Sequence, residues 1–156
     1  MKDFAKNAEH NALNAIKLKD KEKALALSID GYQFPDMTPG KDDSYDLNWL
    51  NIRLSVIEGI NCEEFVDACV LTWELDRIRE AIDKLLKNEI DELDSDSMFL
   101  LTESTIYFSI RREGDGTWYK VDFNAKGFKV VAFIRQDKLI HIRKQLALGQ
   151  RLFPQR

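Results

Sequence analysis

The sequence predicts an α+β domain in which a mostly antiparallel sheet of about six to seven strands packs against one or two helices. Apolar and polar residues alternate from Leu50 to Val56, which is the period of a strand with one buried face. From Leu75 to Leu85 the apolar residues recur every three or four positions, which is the period of an amphipathic helix. The predicted order is strands, helix, strands, helix, and the sequence shows no internal repeat. Strands grouped in this way favour antiparallel pairing.

The first elements set the predicted domain boundary. Residues 1–20 carry a thin apolar stripe at helical spacing, so we expect a mobile or loosely docked helical extension there. Residues 21–156 are assigned to a single domain. Its first strand begins at Lys23, and the apolar parity switches across Gly31, as a β-bulge would cause.

A turn-rich loop separates this strand from the next two. The side chains of Tyr45, Leu47 and Trp49 have the opposite parity to the second strand, which predicts a kink or a strand covered on both faces. A third strand is predicted over about residues 62–71, where the alternation is poorer.

The C-terminal half begins with a helix that opens at Thr72 and ends in the acidic run 91–96. The last helix is expected to be capped by Asp137 and to end at Gly149. Four strands are predicted between the two helices: Met98–Thr102, Thr105–Arg111, Trp118–Phe123 and Phe128–Arg135.

Composition predicts a cytoplasmic protein, and we expect it to be a monomer. The 156-residue chain has ordinary globular usage, with 44% hydrophobic and 32% charged residues. It contains no apolar run of about 18 residues, and its first residues lack the apolar core of a signal peptide, so we expect no membrane partner. Cys62 and Cys69 lie seven positions apart, too far for a disulfide within one strand or one helix, so we expect both thiols to be free.

Charge is distributed unevenly along the chain. The net charge is -4, but the segment 58–96 carries thirteen acidic against four basic residues, and the segment 135–156 carries six basic against one acidic. Such polarity is typical of solvated helix faces, and it also suits an acidic surface that steers a basic partner.

No pattern in the sequence indicates catalysis, a cofactor or a metal. The two histidines, His10 and His141, have no Cys or His at ligand spacing, and His141 is expected on a solvated side of the last helix. An EF-hand loop begun at Asp94 would place Met98 and Phe99 where a ligand and a glycine are needed. The acidic middle disfavours nucleic-acid binding. We therefore assign no catalytic, cofactor-binding or metal-binding residue and expect a protein that is not an enzyme.

Short motifs in the chain resemble the WapI-type immunity proteins, and the resemblance extends over about residues 21–156. The motifs occur in order along the chain and are Gly31-Tyr32-Gln33-Phe34-Pro35, Tyr45-Asp46-Leu47-Asn48-Trp49-Leu50, Cys69-Val70-Leu71-Thr72-Trp73-Glu74-Leu75 and Leu152-Phe153-Pro154-Gln155-Arg156. The resemblance implies a small cytoplasmic protein that protects a bacterium from a contact-dependent toxin of its own or of a sibling. The toxin portion is commonly a nuclease, often one that acts on tRNA.

Together, the charge distribution and the resemblance predict a surface that docks onto a cognate toxin domain. Its predicted toxin-binding residues are the carboxylates of two acidic segments: Asp42, Asp43, Asp46, Asp91, Glu92, Asp94 and Asp96. Two alternatives remain open: a small ligand-binding protein or hydrolase whose site is a pocket, and a secretion chaperone or adaptor. A deep polar pocket would favour the former, whereas a flat acidic face would favour immunity.

Overall fold

The computed structural model describes residues 15–103 and 105–156. Within them the chain forms eight strands and three helices. The strands are β1 (Ile16–Lys19), β2 (Lys23–Tyr32), β3 (Trp49–Glu58), β4 (Asn61–Leu71), β5 (Glu92–Asp94), β6 (Ile106–Glu113), β7 (Trp118–Ala125) and β8 (Phe128–Arg135). The helices are α1 (Ser44–Asn48), α2 (Thr72–Leu86) and α3 (Gln136–Leu152).

The strands form two antiparallel sheets, and this confirms the predicted α+β class. The first sheet has the order β1-β2-β3-β4 and the second has the order β5-β6-β7-β8. The prediction of about six to seven strands in one sheet therefore falls short of the strands found, which are divided between two sheets. Each sheet is followed by one long helix, so four strands and a helix occur twice in succession although the sequence shows no repeat.

Both long helices begin directly at the end of a strand. Helix α2 follows β4 at Thr72, and the buried Glu74 accepts a hydrogen bond from the backbone N–H of Leu71 at 2.8 Å. This bond pairs one of the N–H groups that a helix start leaves without an intrahelical partner. The second carboxylate oxygen of Glu74 accepts from the N–H of Thr102. One buried side chain thus ties the start of α2 to the segment that leads into β6.

The core is continuous between the two sheets. The inner faces of both sheets and the apolar sides of α2 and α3 form one cluster of buried residues. The predicted helical stripes are confirmed, since Leu75, Ile78 and Ile82 of α2 are buried and α3 buries its own predicted stripe. The two helices pack against each other and are joined by an ion pair between Asp83 and Arg143.

Helix α3 extends further than its predicted bounds. Its N-cap residue is Arg135, so Asp137 lies in the first turn rather than at the cap. Gly149 lies within the helix and does not end it. A Cβ at this position would come within 2.8 Å of Ile29 Cδ1, so glycine permits α3 to approach β2 closely.

The predicted bulge in β2 is confirmed by a register shift between Ile29 and Gly31. The predicted kink or doubly covered strand before β3 is wrong, because Ser44–Asn48 forms the short helix α1. The Asp43 carboxylate accepts the N–H of Tyr45 at 2.8 Å and so caps this helix, which fixes a helical turn despite the alternating parity.

Two predictions at other positions are also wrong. Residues 98–102, predicted to be a strand, form turns and irregular structure. The strand of this region is β5, which lies in the acidic run 91–96 that was expected only to end the helix. The cause is Leu93, which is fully buried and carries β5 into the sheet. In the predicted extension, Ile16 begins strand β1, so the sheet starts before residue 21. Residues 1–14 of that extension lie outside the described residues.

Candidate protein-binding surface

The first predicted acidic segment surrounds α1, and two of its carboxylates hold its own backbone. Asp42 accepts the N–H of Thr38 at 2.7 Å, and Asp43 caps α1 as described above. Both residues are exposed. Asp46, in the first turn of α1, is half-buried, and the described residues provide no hydrogen bond or ion pair to its carboxylate.

The α1 segment is fixed to the rest of the fold by the buried side chain of Asn48. Its amide nitrogen donates to the main-chain oxygens of Ser44 at 2.7 Å and Arg156 at 3.1 Å. Its amide oxygen accepts from the hydroxyl of Thr72 at 2.9 Å and the N–H of Arg156 at 2.8 Å. All four hydrogen-bonding positions of the amide are therefore used.

Arg156 holds the same segment from the other side. Its guanidinium donates to the carbonyls of Phe34 and Leu47 at 2.8 and 2.6 Å, and lies 4.1 Å from the ring centre of Tyr32. The cation lies between the carbonyls that close the loop before α1. The exposed acidic loop consequently has a fixed base.

The second predicted segment, 91–96, also combines structural and exposed carboxylates. The carboxylate of Asp91 pairs with Arg112 at 2.8 Å while its side chain stays 95% exposed. Asp94 accepts from the N–H groups of Asp96 and Ser97 at 2.9 and 3.0 Å and from the hydroxyl of Tyr107 at 2.9 Å. The hydrogen bond from Ser97 is the main cause that holds the pKa of Asp94 below its usual value. Asp94 is therefore primarily a turn-forming residue.

Glu92 and Asp96 complete this segment, and both are exposed. In the pairing of β5 with β6, Glu92 lies opposite Arg111. The described residues provide no hydrogen bond or ion pair to the carboxylate of Asp96. Of the seven predicted residues, Asp46, Glu92 and Asp96 are thus the ones whose carboxylates have no hydrogen bond or ion pair within the described part of the chain, while Asp91 is paired with the side chain of Arg112.

The structure separates the two segments along α2. The α1 segment touches the first residue of α2 through the bond between Asn48 and Thr72. Arg112, the partner of Asp91, donates to the carbonyl of Leu85 near the last residue of the same helix. A helix of fifteen residues is about 22 Å long. The predicted residues therefore form two patches rather than one continuous surface.

A third acidic patch, which the sequence reasoning missed, lies on the β3–β4 hairpin. Glu58, Glu63 and Glu64 are exposed there, and two of them form ion pairs, Glu58 with Lys23 and Glu64 with Arg53. Three large apolar side chains beside them are also exposed, namely Ile57, Ile60 and Val66. The available signal was the poor alternation of the third predicted strand, because four consecutive residues, 61–64, are exposed where a strand covered on one face would alternate.

Comparison with known proteins identifies the family. Residues 16–147 match the immunity protein WapI-like family. The chain belongs to this family. The prediction from the motifs is confirmed, although the match begins at β1 and leaves out the motif at 152–156. As a WapI-like immunity protein, the chain has a general role in neutralising a toxin.

Other comparisons add a structural likeness. Among solved structures, the structure of the plant transcriptional regulator PBF-2 is similar to that of the WapI-like protein, with a TM-score of 0.46 and 8% sequence identity. The likeness covers 89% of this chain and 81% of that chain. No curated protein matches the sequence.

One cavity of the WapI-like protein bears on the ligand-binding alternative. It has a volume of about 130 Å³ and lies between the two sheets and the two long helices. Its lining residues are apolar except for Ser28 and Gln145. A cavity with this lining provides no pair of acid and base groups for hydrolysis. It is not the deep polar pocket that would favour a hydrolase.

The structure also shows the positions of the two cysteines and of His141. Cys62 is exposed, Cys69 is buried and both are free, as predicted. Burial raises the pKa of the Cys69 thiol to about 11. His141 is exposed, as predicted, beside the amide of Gln145. Within residues 15–103 and 105–156, no cluster of three or more His, Cys, Asp or Glu side chains could hold a metal ion. Across that same part of the chain, no helix has the length and apolarity to cross a membrane.

Proposed function

We propose that the protein is a cytoplasmic, monomeric inhibitor that binds a contact-dependent nuclease toxin and covers its substrate-binding face without catalysing a reaction. The observation that carries the proposal is membership of the immunity protein WapI-like family over residues 16–147. The cognate toxin domain is the proposed partner, and no cofactor is required for inhibition by occlusion.

The charge of the exposed carboxylates supports a nuclease as the target. A nuclease holds its substrate with Lys and Arg side chains that contact phosphates. An inhibitor with exposed carboxylates matches such a surface in charge, which accelerates association and disfavours other partners. In this protein Asp46, Glu92 and Asp96 present carboxylates whose removal leaves the backbone hydrogen bonds in place.

One interface could reach both predicted patches. A standard interface buries about 800 Å² on each partner, which corresponds to about 30 Å across a round patch. The two patches are separated by the length of α2, about 22 Å. A toxin domain docked alongside α2 would therefore contact the α1 segment and the 91–96 segment together.

The test is co-expression with the toxin domain encoded beside this protein, with growth as the measurement. We expect the wild-type protein to restore growth and the double variant Glu92→Lys/Asp96→Lys to restore it less. Asp46→Lys tests the other patch. Asp94 is left unchanged because its reversal would break the turn that it holds.

The matched control is Glu22→Lys/Asp137→Lys, which makes the same charge change at exposed positions in the β1–β2 turn and in α3. Thermal unfolding of each variant checks that the fold is intact. Full rescue by the Glu92/Asp96 and Asp46 variants would contradict docking through these patches. If the wild-type protein neither restores growth nor binds the toxin domain, the proposed function is wrong, and binding without protection would favour the chaperone or adaptor alternative.

A further inference from the structure

Strand β4 is the outer strand of the first sheet, and its first half is uncovered. The sheet order ends at β4, so among the described residues no strand pairs with its second side. Residues 61–64 and Val66 are exposed. The second half is covered instead, since Asp67 pairs with Lys126 at 3.0 Å and Cys69 is buried. The open part of this edge, which we call the β4 edge, is the segment 61–66.

The hairpin geometry fixes which backbone groups the β4 edge presents. A two-residue loop, Gly59-Ile60, joins β3 to β4, and Gly59 has a φ of 59°. In such a hairpin the residues that flank the loop bond to each other, and bonded and non-bonded pairs then alternate. The N–H and C=O groups of Cys62, Glu64 and Val66 consequently point away from β3. They form a ladder that another strand can extend.

The side chains around the β4 edge have the composition of a binding surface. Ile60 at the tip is fully exposed, and Ile57 and Val66 are each about half exposed on the hairpin. Acidic side chains would be sufficient to prevent aggregation at an open edge. The three exposed apolar side chains do not serve that purpose, and they supply the apolar centre of an interface whose rim is formed by carboxylates.

Charge selects the kind of strand that the β4 edge can accept. Glu63 lies at the middle of the open segment, and no described residue forms a hydrogen bond or ion pair with its side chain. Beside it, Glu64 is paired with Arg53, and across the loop Glu58 lies 3.8 Å from Lys23. An antiparallel pairing with a second copy of this chain, centred on the open segment, would place these carboxylates against their own counterparts, and like charges opposite each other destabilise a sheet. A segment with Lys or Arg side chains would be stabilised at the same positions. The β4 edge is therefore suited to a basic strand.

We propose that the cognate toxin adds an extended basic segment to the β4 edge as a fifth strand of the first sheet. This inference rests on the proposed function and adds the mode of recognition. Main-chain hydrogen bonds to Cys62, Glu64 and Val66 would supply affinity, while the acidic and apolar side chains of the hairpin would supply specificity.

Cys62 provides a native position for the test. It is exposed in the middle of the β4 edge, whereas Cys69 is buried and its thiol has a raised pKa. A bulky maleimide added at neutral pH should therefore modify Cys62 alone. Because it would block main-chain pairing, we expect it to weaken binding of the toxin domain encoded beside this protein by about tenfold or more, the equivalent of one or two lost hydrogen bonds.

The matched control carries the same label on another surface, in the variant Cys62→Ser/Asp137→Cys, whose new thiol lies at an exposed position of α3. A second variant, Cys62→Pro, removes an outward N–H that pairing with β3 does not use and should weaken binding similarly. Hydrogen exchange gives a direct readout, because the amides of Cys62, Glu64 and Val66 should exchange more slowly in the complex than in the free protein.

The outcomes separate the two proposals. If labelled and unlabelled proteins bind the toxin domain equally, the β4 edge is not the docking strand, and the proposed function still stands. If the unlabelled wild-type protein does not bind it at all, the proposed function itself fails. If the protein elutes as a dimer that labelling of Cys62 converts to a monomer, the occupant is a second copy, and a basic toxin strand is excluded.

Discussion

Replacing Asn48 by Asp tests whether the buried amide fixes the α1 segment. The substitution preserves the shape of the side chain and its two accepted hydrogen bonds, from Thr72 and Arg156. It removes the two donated bonds and places an oxygen 2.7 Å from the carbonyl of Ser44. A buried polar group left without a partner costs about 1–3 kcal/mol, so two main-chain oxygens give about 2–6 kcal/mol. Because Ser44 is exposed and Arg156 is half-buried, water can reach both oxygens, and we expect about 2–3 kcal/mol.

Urea unfolding at two pH values is the assay. Burial raises the pKa of the introduced carboxyl, so its protonated form, which can donate again, is favoured in the folded state. The penalty of Asn48→Asp should therefore be largest at pH 8 and decrease as the solution is acidified. Asn124→Asp, on a half-buried outer position of β7, is the matched control and should stay within about 0.5 kcal/mol of the wild type. A cost below about 0.5 kcal/mol for Asn48→Asp at pH 8 would refute the reasoning.

Three further predictions concern the core, acid stability and the thiols. Ile82→Ala should lower the free energy of unfolding by about 2–5 kcal/mol, because the side chain is only 1% exposed; a loss below about 0.5 kcal/mol in urea would show that the α2 stripe does not pack as described. The hydrogen bond from the N–H of Ser97 is the main cause that holds the pKa of Asp94 below its usual value in the folded protein, so its stabilising contribution is present above the ordinary carboxyl pKa and is lost as the pH falls through the lowered one. Asp94→Asn should therefore flatten the decline in stability below about pH 4, and an unchanged decline would contradict this. Thiol titration should find one fast group in the native protein, Cys62, and a second, Cys69, only after denaturation; equal rates in the native state would show that Cys69 is not protected.

Periodicity predicted the elements whose burial is one-sided and regular. Strand β3 alternates because one face lies on the core, and α2 repeats every three or four residues for the same reason. Prediction failed where burial is confined to one residue. Leu93 is the fully buried residue in a three-residue strand of otherwise acidic side chains, so no period marks β5. Phe99 is 80% exposed in a turn, so an apolar residue was mistaken for part of a strand.

The candidate surface was only partly accessible to sequence reasoning. Counting charges locates acidic segments, but it cannot show that Asp43 caps a helix or that Asp94 binds three donors, because those partners are set by the backbone conformation. The β4 edge was missed for a different reason. Whether a strand lies at the edge of a sheet depends on the order of all strands, which is a property of the fold rather than of residues 61–66.

The strand order also has a consequence for the folding kinetics. Within each sheet every strand pairs with its predecessor, and β3–β4 and β7–β8 are joined by loops of only two residues. Closing such short loops costs little chain entropy, so these hairpins can form early. The contact between α2 and α3 joins segments that lie far apart in the chain, because the whole second sheet lies between them in the sequence. We expect the docking of the two units, each of four strands and a helix, to limit the folding rate, since contacts between distant residues slow folding.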